Sequence, residues 1–213
     1  MTKKQLFRLI KILIIVAMVV VWVLLYDKLP AQMPTHWNAQ GVVDSYGSKW
    51  ITLIGLPALG ICLTLLFHFL PKRDPRKQNY ASFATSWEFL QLVILWFFAY
   101  LYFVILYVVL HPAVIITPLI LGWIAVLFIV LWIVMRTLKT NYFVGIKTPW
   151  TLESEVVWDK THKLGSWIFM AAWIVFGVTA FWSMYFLPVF LATIIICVLV
   201  PVGYSYLIYK RLK

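Results

Sequence analysis

Apolar residues in this chain fall into long unbroken runs, without the alternation of a half-buried strand or the 3.6-residue stripe of a soluble helix. Leu9 to Tyr26 is one run behind a basic N-terminus, and Ile51 to Leu70 is a second, with Pro57 tolerated near its start. Phe89 to Met135 and Leu164 to Tyr209 are each about twice the roughly 20 residues that cross a bilayer, so each must turn. His111-Pro112 with Thr117-Pro118 supplies one turn, and Ser183 to Pro188 the other. The first run is long for the apolar core of a signal peptide and no small-x-small cleavage site follows it, so it is expected to remain as an anchor. The pattern predicts an all-α polytopic membrane protein, six transmembrane helices in a single domain over residues 1–213.

Two polar segments interrupt the runs, at 27–50 and 136–164. In the second, Thr148 followed by Pro149 is a helix start, a hydroxyl N-cap with proline at the first helical position. Beyond it Ser154, Val157, Trp158, Thr161, His162 and Gly165 fall on one face at helical spacing. Glu155, Asp159, Lys160 and Lys163 lie largely off that face. The expectation is a short amphipathic helix, its uncharged stripe against protein or membrane and its charges in water. In the first segment Pro30 and Pro34 favour extended backbone, and Gly41 and Gly47 permit tight turns. His36, Trp37 and Asn38 offer donors, acceptors and a flat aromatic face. Such a loop is expected to fold over the bundle, either as a structural lid or as a ligand contact.

Composition agrees: 64% hydrophobic and 12% charged residues exclude a soluble domain of this length. A net charge of +11 would suit nucleic acid, but its distribution does not. Lys and Arg gather in four clusters between the apolar runs, at Lys3 to Lys11, Lys72 to Lys77, Arg136 to Lys163 and Lys210 to Lys213. All four lie on one side if the N-terminus is inside, leaving Lys28 and Lys49 outside. The layout is therefore N-in and C-in, with 27–50 extracytoplasmic, 136–164 cytosolic, and the basic clusters meeting anionic headgroups. Direct contact with nucleic acid is not expected.

Chemistry is thin. No carboxylate is expected at mid-membrane depth, where a proton relay or ion-coupled pump would place one. Glu88 reads as an interfacial cap or a partner of the Lys72 to Lys77 cluster. The four histidines are scattered without metal-ligand spacing, and no Walker loop, GxSxG or CxxC is present. No enzyme, metal or cofactor is expected, and Cys62 and Cys197, inside apolar runs, read as small core residues. His36 and His162 read first as hydrogen-bonding loop residues, and second as ligand contacts. The two polar loops also echo one another: Thr35-x-Trp37 … Gly47-Ser48-x-Trp50 against Thr148-x-Trp150 … Gly165-Ser166-Trp167. An inverted-topology duplication would explain the echo and would suit a small-solute or peptide transporter, while chance similarity is the plainer explanation.

Two stretches resemble the SdpI family of bacterial membrane proteins. The outer one, Leu29-Pro30 … Pro34-Thr35-His36-Trp37-Asn38 … Gly41 … Asp44 … Gly47-Ser48-Lys49, is similar to a short extracytoplasmic module commonly joined to that family. The inner one, Asn141 … Gly145-Ile146-Lys147-Thr148-Pro149-Trp150-Thr151 … Ser154 … Trp158 … Thr161-His162 … Gly165, is similar to the family signature itself. Lys147 stands where the pattern expects Arg, and Ser166 where it expects Gly; lysine keeps the charge but loses the planar fork. The resemblance implies a protein of the bacterial cytoplasmic membrane giving immunity to a secreted antimicrobial peptide, with peptide sensing at His36, Trp37, Asn38, Gly41, Asp44 and Lys49. It also implies that signalling members hold a cytosolic transcriptional repressor at the membrane through the inner signature.

Overall fold

The computed structural model describes residues 1–38, 41–179 and 186–213. Its helices are α1 (Lys3–Leu25), α2 (Leu56–Arg73), α3 (Ala84–Leu110), α4 (Ile116–Met135), α5 (Pro149–Glu153), α6 (Glu155–Thr179) and α7 (Phe186–Leu212). Among the described residues, five segments, containing α1, α2, α3, α4 and α7, are long and apolar enough to cross a membrane. The sixth expected span falls on α6, whose first half carries Glu155, Asp159, Lys160 and Lys163. The outward faces show Val23, Leu24, Leu65, Ile195 and Leu199 largely exposed. That is the surface of a bundle solvated by lipid tails, and it explains why the apolar runs show no one-sided stripe.

Helix α3 is the spine of the first half, with α1 and α2 both packed on it and barely touching one another. In the second half α6 is the centre, packed between α4 and α7, and α3 joins the halves through α4. The central helix is thus third in one half and second in the other. The two loops that echo each other in sequence also differ, one being strands and the other helix. The packing does not support an inverted duplication.

The outer segment, expected as a loop folded over the bundle, is a hairpin there: β1 (Gln32–Trp37) and β2 (Val43–Ser48) pair antiparallel, Met33 opposite Gly47 and Trp37 opposite Val43, with a bulge near His36. Two expectations need correction. The amphipathic helix is not short, because nothing after Gly165 stops it and α6 runs on to Thr179. The turn between α3 and α4 is His111 to Ile115, so Thr117-Pro118 sits in the first turn of α4, where proline is tolerated. The other expected turn, Ser183 to Pro188, lies partly outside the described residues, and the chain is already helical at Phe186. Pro57 follows a wide π-helical stretch, Ile51–Gly55, which leaves room for a ring that an α-helix would press on the preceding turn.

Candidate functional site

At one end of the bundle the hairpin is pinned by two side chains. Met33 is fully buried in the core of Met18, Leu53, Leu95 and Tyr102, and Trp37 packs on Val104, Val108 and Ile116. Asn38 closes the tip: its backbone N–H donates to the Val42 carbonyl, and its Oδ1 accepts from Val42 N–H at 3.0 Å. Gly41 has φ +76° and comes so close to Thr117 that any Cβ would strike its hydroxyl.

Between hairpin and bundle lies a cleft of about 340 Å³. His36, Trp37, Asn38 and Gly41 line one wall, and Leu101, Ile105, Thr117 and Ile120 are among the residues of the other. The lining is apolar with a polar lip. Two expected contacts lie elsewhere. Asp44 accepts a hydrogen bond from His36 Nδ1 at 2.6 Å on the solvent side. Lys49 donates to the Tyr26 carbonyl at 2.9 Å and covers the Tyr26 ring, holding the end of α1. The α3 and α4 wall was invisible in sequence, since membrane-facing and cleft-facing leucines look alike.

At the opposite end, the signature residues build a buried hydrogen-bonded knot. Asn141, fully buried, accepts at Oδ1 from the N–H groups of Phe143 and Val144 and donates through Nδ2 to the carbonyls of Lys139 and Val144. Lys147 reaches back to the carbonyls of Tyr142 and Phe143, both at 3.1 Å. A lysine suffices there, because the acceptors are two separate carbonyls and not a planar carboxylate. Thr148 and Thr151 form a reciprocal cap at the start of α5, with Pro149 in its first turn, and Thr148 also meets Ser205 of α7 at 3.0 Å. Trp150 packs on Tyr206. Ser154 breaks the helix, its extended backbone ending α5, while its Oγ accepts from Val157 N–H as α6 begins.

The stripe of α6 faces inward as expected: Val157, Trp158, Thr161 and His162 are buried. Trp158 Nε1 donates to the Leu138 carbonyl at 2.9 Å, and its ring stacks on His162 with centroids 4.0 Å apart. His162 donates from Nδ1 to the Trp158 carbonyl and accepts at Nε2 from Ile146 N–H at 3.0 Å. It is therefore neutral, with one tautomer fixed by its partners. Burial drives its pKa down to about 4. Gly145, at φ +116°, lets the backbone run against Trp158 and His162, where a Cβ has no room. Gly165 likewise leaves space for Ile146. Thr161 alone in this stripe has a buried hydroxyl without a partner. The charged side chains of Glu153, Glu155, Asp159, Lys160 and Lys163 stay exposed.

Sequence reasoning missed the other half of this knot. Asp74, buried beyond α2, accepts from Arg76 N–H, the Tyr80 hydroxyl and Tyr142 N–H. Arg76 donates to the Leu152 carbonyl and Asn79 to that of Thr140. The signal available was an aspartate beside a proline in a basic loop, which looks like any turn. Glu88 also departs from expectation: it pairs at 2.8 Å with Lys11 of α1, not with the Lys72 to Lys77 cluster, and Gln91 shares that lysine at 2.9 Å.

The arrangement defines a class: a multi-pass membrane protein with a hairpin-covered apolar cleft at one end and a rigid polar knot at the other. The sequence model of the SdpI/YfhL protein family matches residues 137–205, the knot together with α6 and most of α7. A domain of unknown function, DUF1648, matches residues 13–61, the hairpin with its flanking helices. The chain is 23% identical over 213 residues to "Immunity protein SdpI" of Bacillus subtilis (strain 168), covering 96% of each chain. The knot segment thus resembles the SdpI/YfhL family, and the chain is a multi-pass protein of the bacterial cytoplasmic membrane. No solved structure matches it.

Proposed function

We propose that this chain is a membrane immunity protein that protects its bacterium against a secreted killing peptide, received at the cleft beneath the hairpin. The observation that carries this reading is the cleft itself, apolar within and rimmed by His36, Asn38 and Thr117, in a chain similar over nearly its whole length to an immunity protein. An amphipathic or hydrophobic peptide has the matching chemistry, apolar side chains for the wall and backbone amides for the rim. The basic clusters favour N-in and C-in with six spans, which sets the hairpin outside and the knot in the cytosol.

The placement of α4 supports a signalling role for the same protein. Its first turns form part of the cleft wall, and the chain just beyond its last turn presents the Leu138 carbonyl to Trp158. A peptide that prefers one packing of α4 on α3 shifts the position of α6, and a peptide with equal affinity for both packings shifts nothing. The exposed face of Glu153, Glu155, Asp159, Lys160 and Lys163 is the surface offered to a cytosolic repressor.

The test is survival. A toxin-sensitive bacterium expressing the chain is challenged with killing peptides secreted by the source organism. Protection is expected, and it is expected to disappear with His36→Ala plus Trp37→Ala at unchanged membrane abundance. Lys160→Glu plus Lys163→Glu is expected to keep protection and lose capture of the repressor at the membrane. No gain in survival with any such peptide defeats the immunity reading, and identical behaviour of the two variants defeats the division of labour.

A further inference from the structure

We infer that the cleft between α1 and α2, at the knot end of the bundle, is a binding site for one anionic glycerophospholipid. Because α1 and α2 rest on α3 without closing on each other, they leave a furrow whose floor is Glu88 and Gln91. Two adjoining cavities of about 470 and 360 Å³ occupy it and share Lys4, His68, Glu88 and Gln91.

The furrow changes character along its length. At the mouth, Lys3, Lys4 and Arg8 of α1 face Lys72 of α2. Farther in, the walls are Ile12, Ile15 and Leu65, with Leu65 and Ile12 exposed on the bundle surface. Charge at the mouth is uncompensated. The only acid lining either cavity among the described residues is Glu88, and Lys11 already holds it at 2.8 Å. No carboxylate among the described residues pairs with Lys3, Lys4, Arg8 or Lys72. Cations converging from two helices at the membrane boundary repel one another unless an anion sits between them. A phosphate at the mouth with an acyl chain along Ile12, Ile15 and Leu65 satisfies both ends of the furrow, whereas a soluble anion satisfies only the first.

The inference stands apart from the peptide reading and is tested without it. The purified full-length protein is stripped of lipid in detergent. Its thermal unfolding is then titrated with phosphatidylglycerol, with phosphatidylcholine of the same acyl chains, and with sodium phosphate. Phosphatidylglycerol is expected to bind at least about ten-fold more tightly than phosphatidylcholine. Lys4→Gln plus Lys72→Gln is expected to cost about 30-fold in phosphatidylglycerol affinity while leaving phosphatidylcholine unchanged. Ile15→Trp, which fills the apolar end without touching a charge, is expected to weaken phosphatidylglycerol as well, and it serves if the charge variant fails to fold. Equal affinity for the two lipids, stabilisation by phosphate that matches phosphatidylglycerol, or full phosphatidylglycerol binding by Ile15→Trp would overturn the site.

Discussion

His162 shows how one side chain can fix a loop. Its Nδ1–H is spent on the Trp158 carbonyl and its Nε2 lone pair on Ile146 N–H, so a second proton would face a donor with no room to turn away. The unfolded chain takes that proton near the ordinary pKa of 6.5, the folded chain only near 4. Between those values the unfolded state binds more protons, so stability is full above pH 6.5 and drains away as pH falls toward 4. The loss is expected to approach about 3 kcal/mol, read as a fall in melting temperature that His162→Gln no longer shows over the same range. Gly145→Ala acts on the same contact from the other side. With positive φ and a Cβ directed at His162 and Trp158, it is expected to destabilise by about 2–4 kcal/mol. A melting temperature equal to wild type for Gly145→Ala would show that the loop does not rest on α6.

Between elements, polar contacts in the helix interfaces decide which helices stay together. Asp74 ties the link between α2 and α3 to the loop after α4, and Asp74→Ala leaves two N–H groups and a hydroxyl without their acceptor. A loss of about 3 kcal/mol or more in unfolding free energy is expected. Lys11 with Glu88 is the corresponding tie between α1 and α3. Lys11→Met alone strands a partly buried carboxylate and is expected to cost about 2 kcal/mol, while Lys11→Met with Glu88→Leu recovers most of it. If the double variant is as unstable as the sum of the single ones, the pair is not coupled. These ties were illegible in the sequence for a physical reason. The hydrophobic runs locate helices because lipid demands apolar surface, and the Thr148-Pro149 cap and the stripe through Trp158 follow from local geometry. The contacts of Asp74 with Tyr142 and of Ser205 with Thr148 join residues far apart along the chain, and no local pattern marks them. The hairpin was hidden differently: its glycines and prolines read as loop, and only pairing across its tip turns Met33 inward.

At the scale of the whole molecule, the hairpin and the knot occupy opposite ends of one bundle. Helix α2 begins beside the first and ends at Asp74 within the second. The account of immunity depends on those ends facing different compartments, since reception outside and read-out inside cannot share a side. Single cysteines introduced as Tyr46→Cys on the hairpin and Lys160→Cys on α6, in a background with Cys62→Ser and Cys197→Ala, measure this with a membrane-impermeant maleimide on intact cells. Tyr46→Cys is expected to label at once, and Lys160→Cys only after the membrane is opened. Labelling of both in intact cells, of neither, or of Lys160→Cys alone would contradict it.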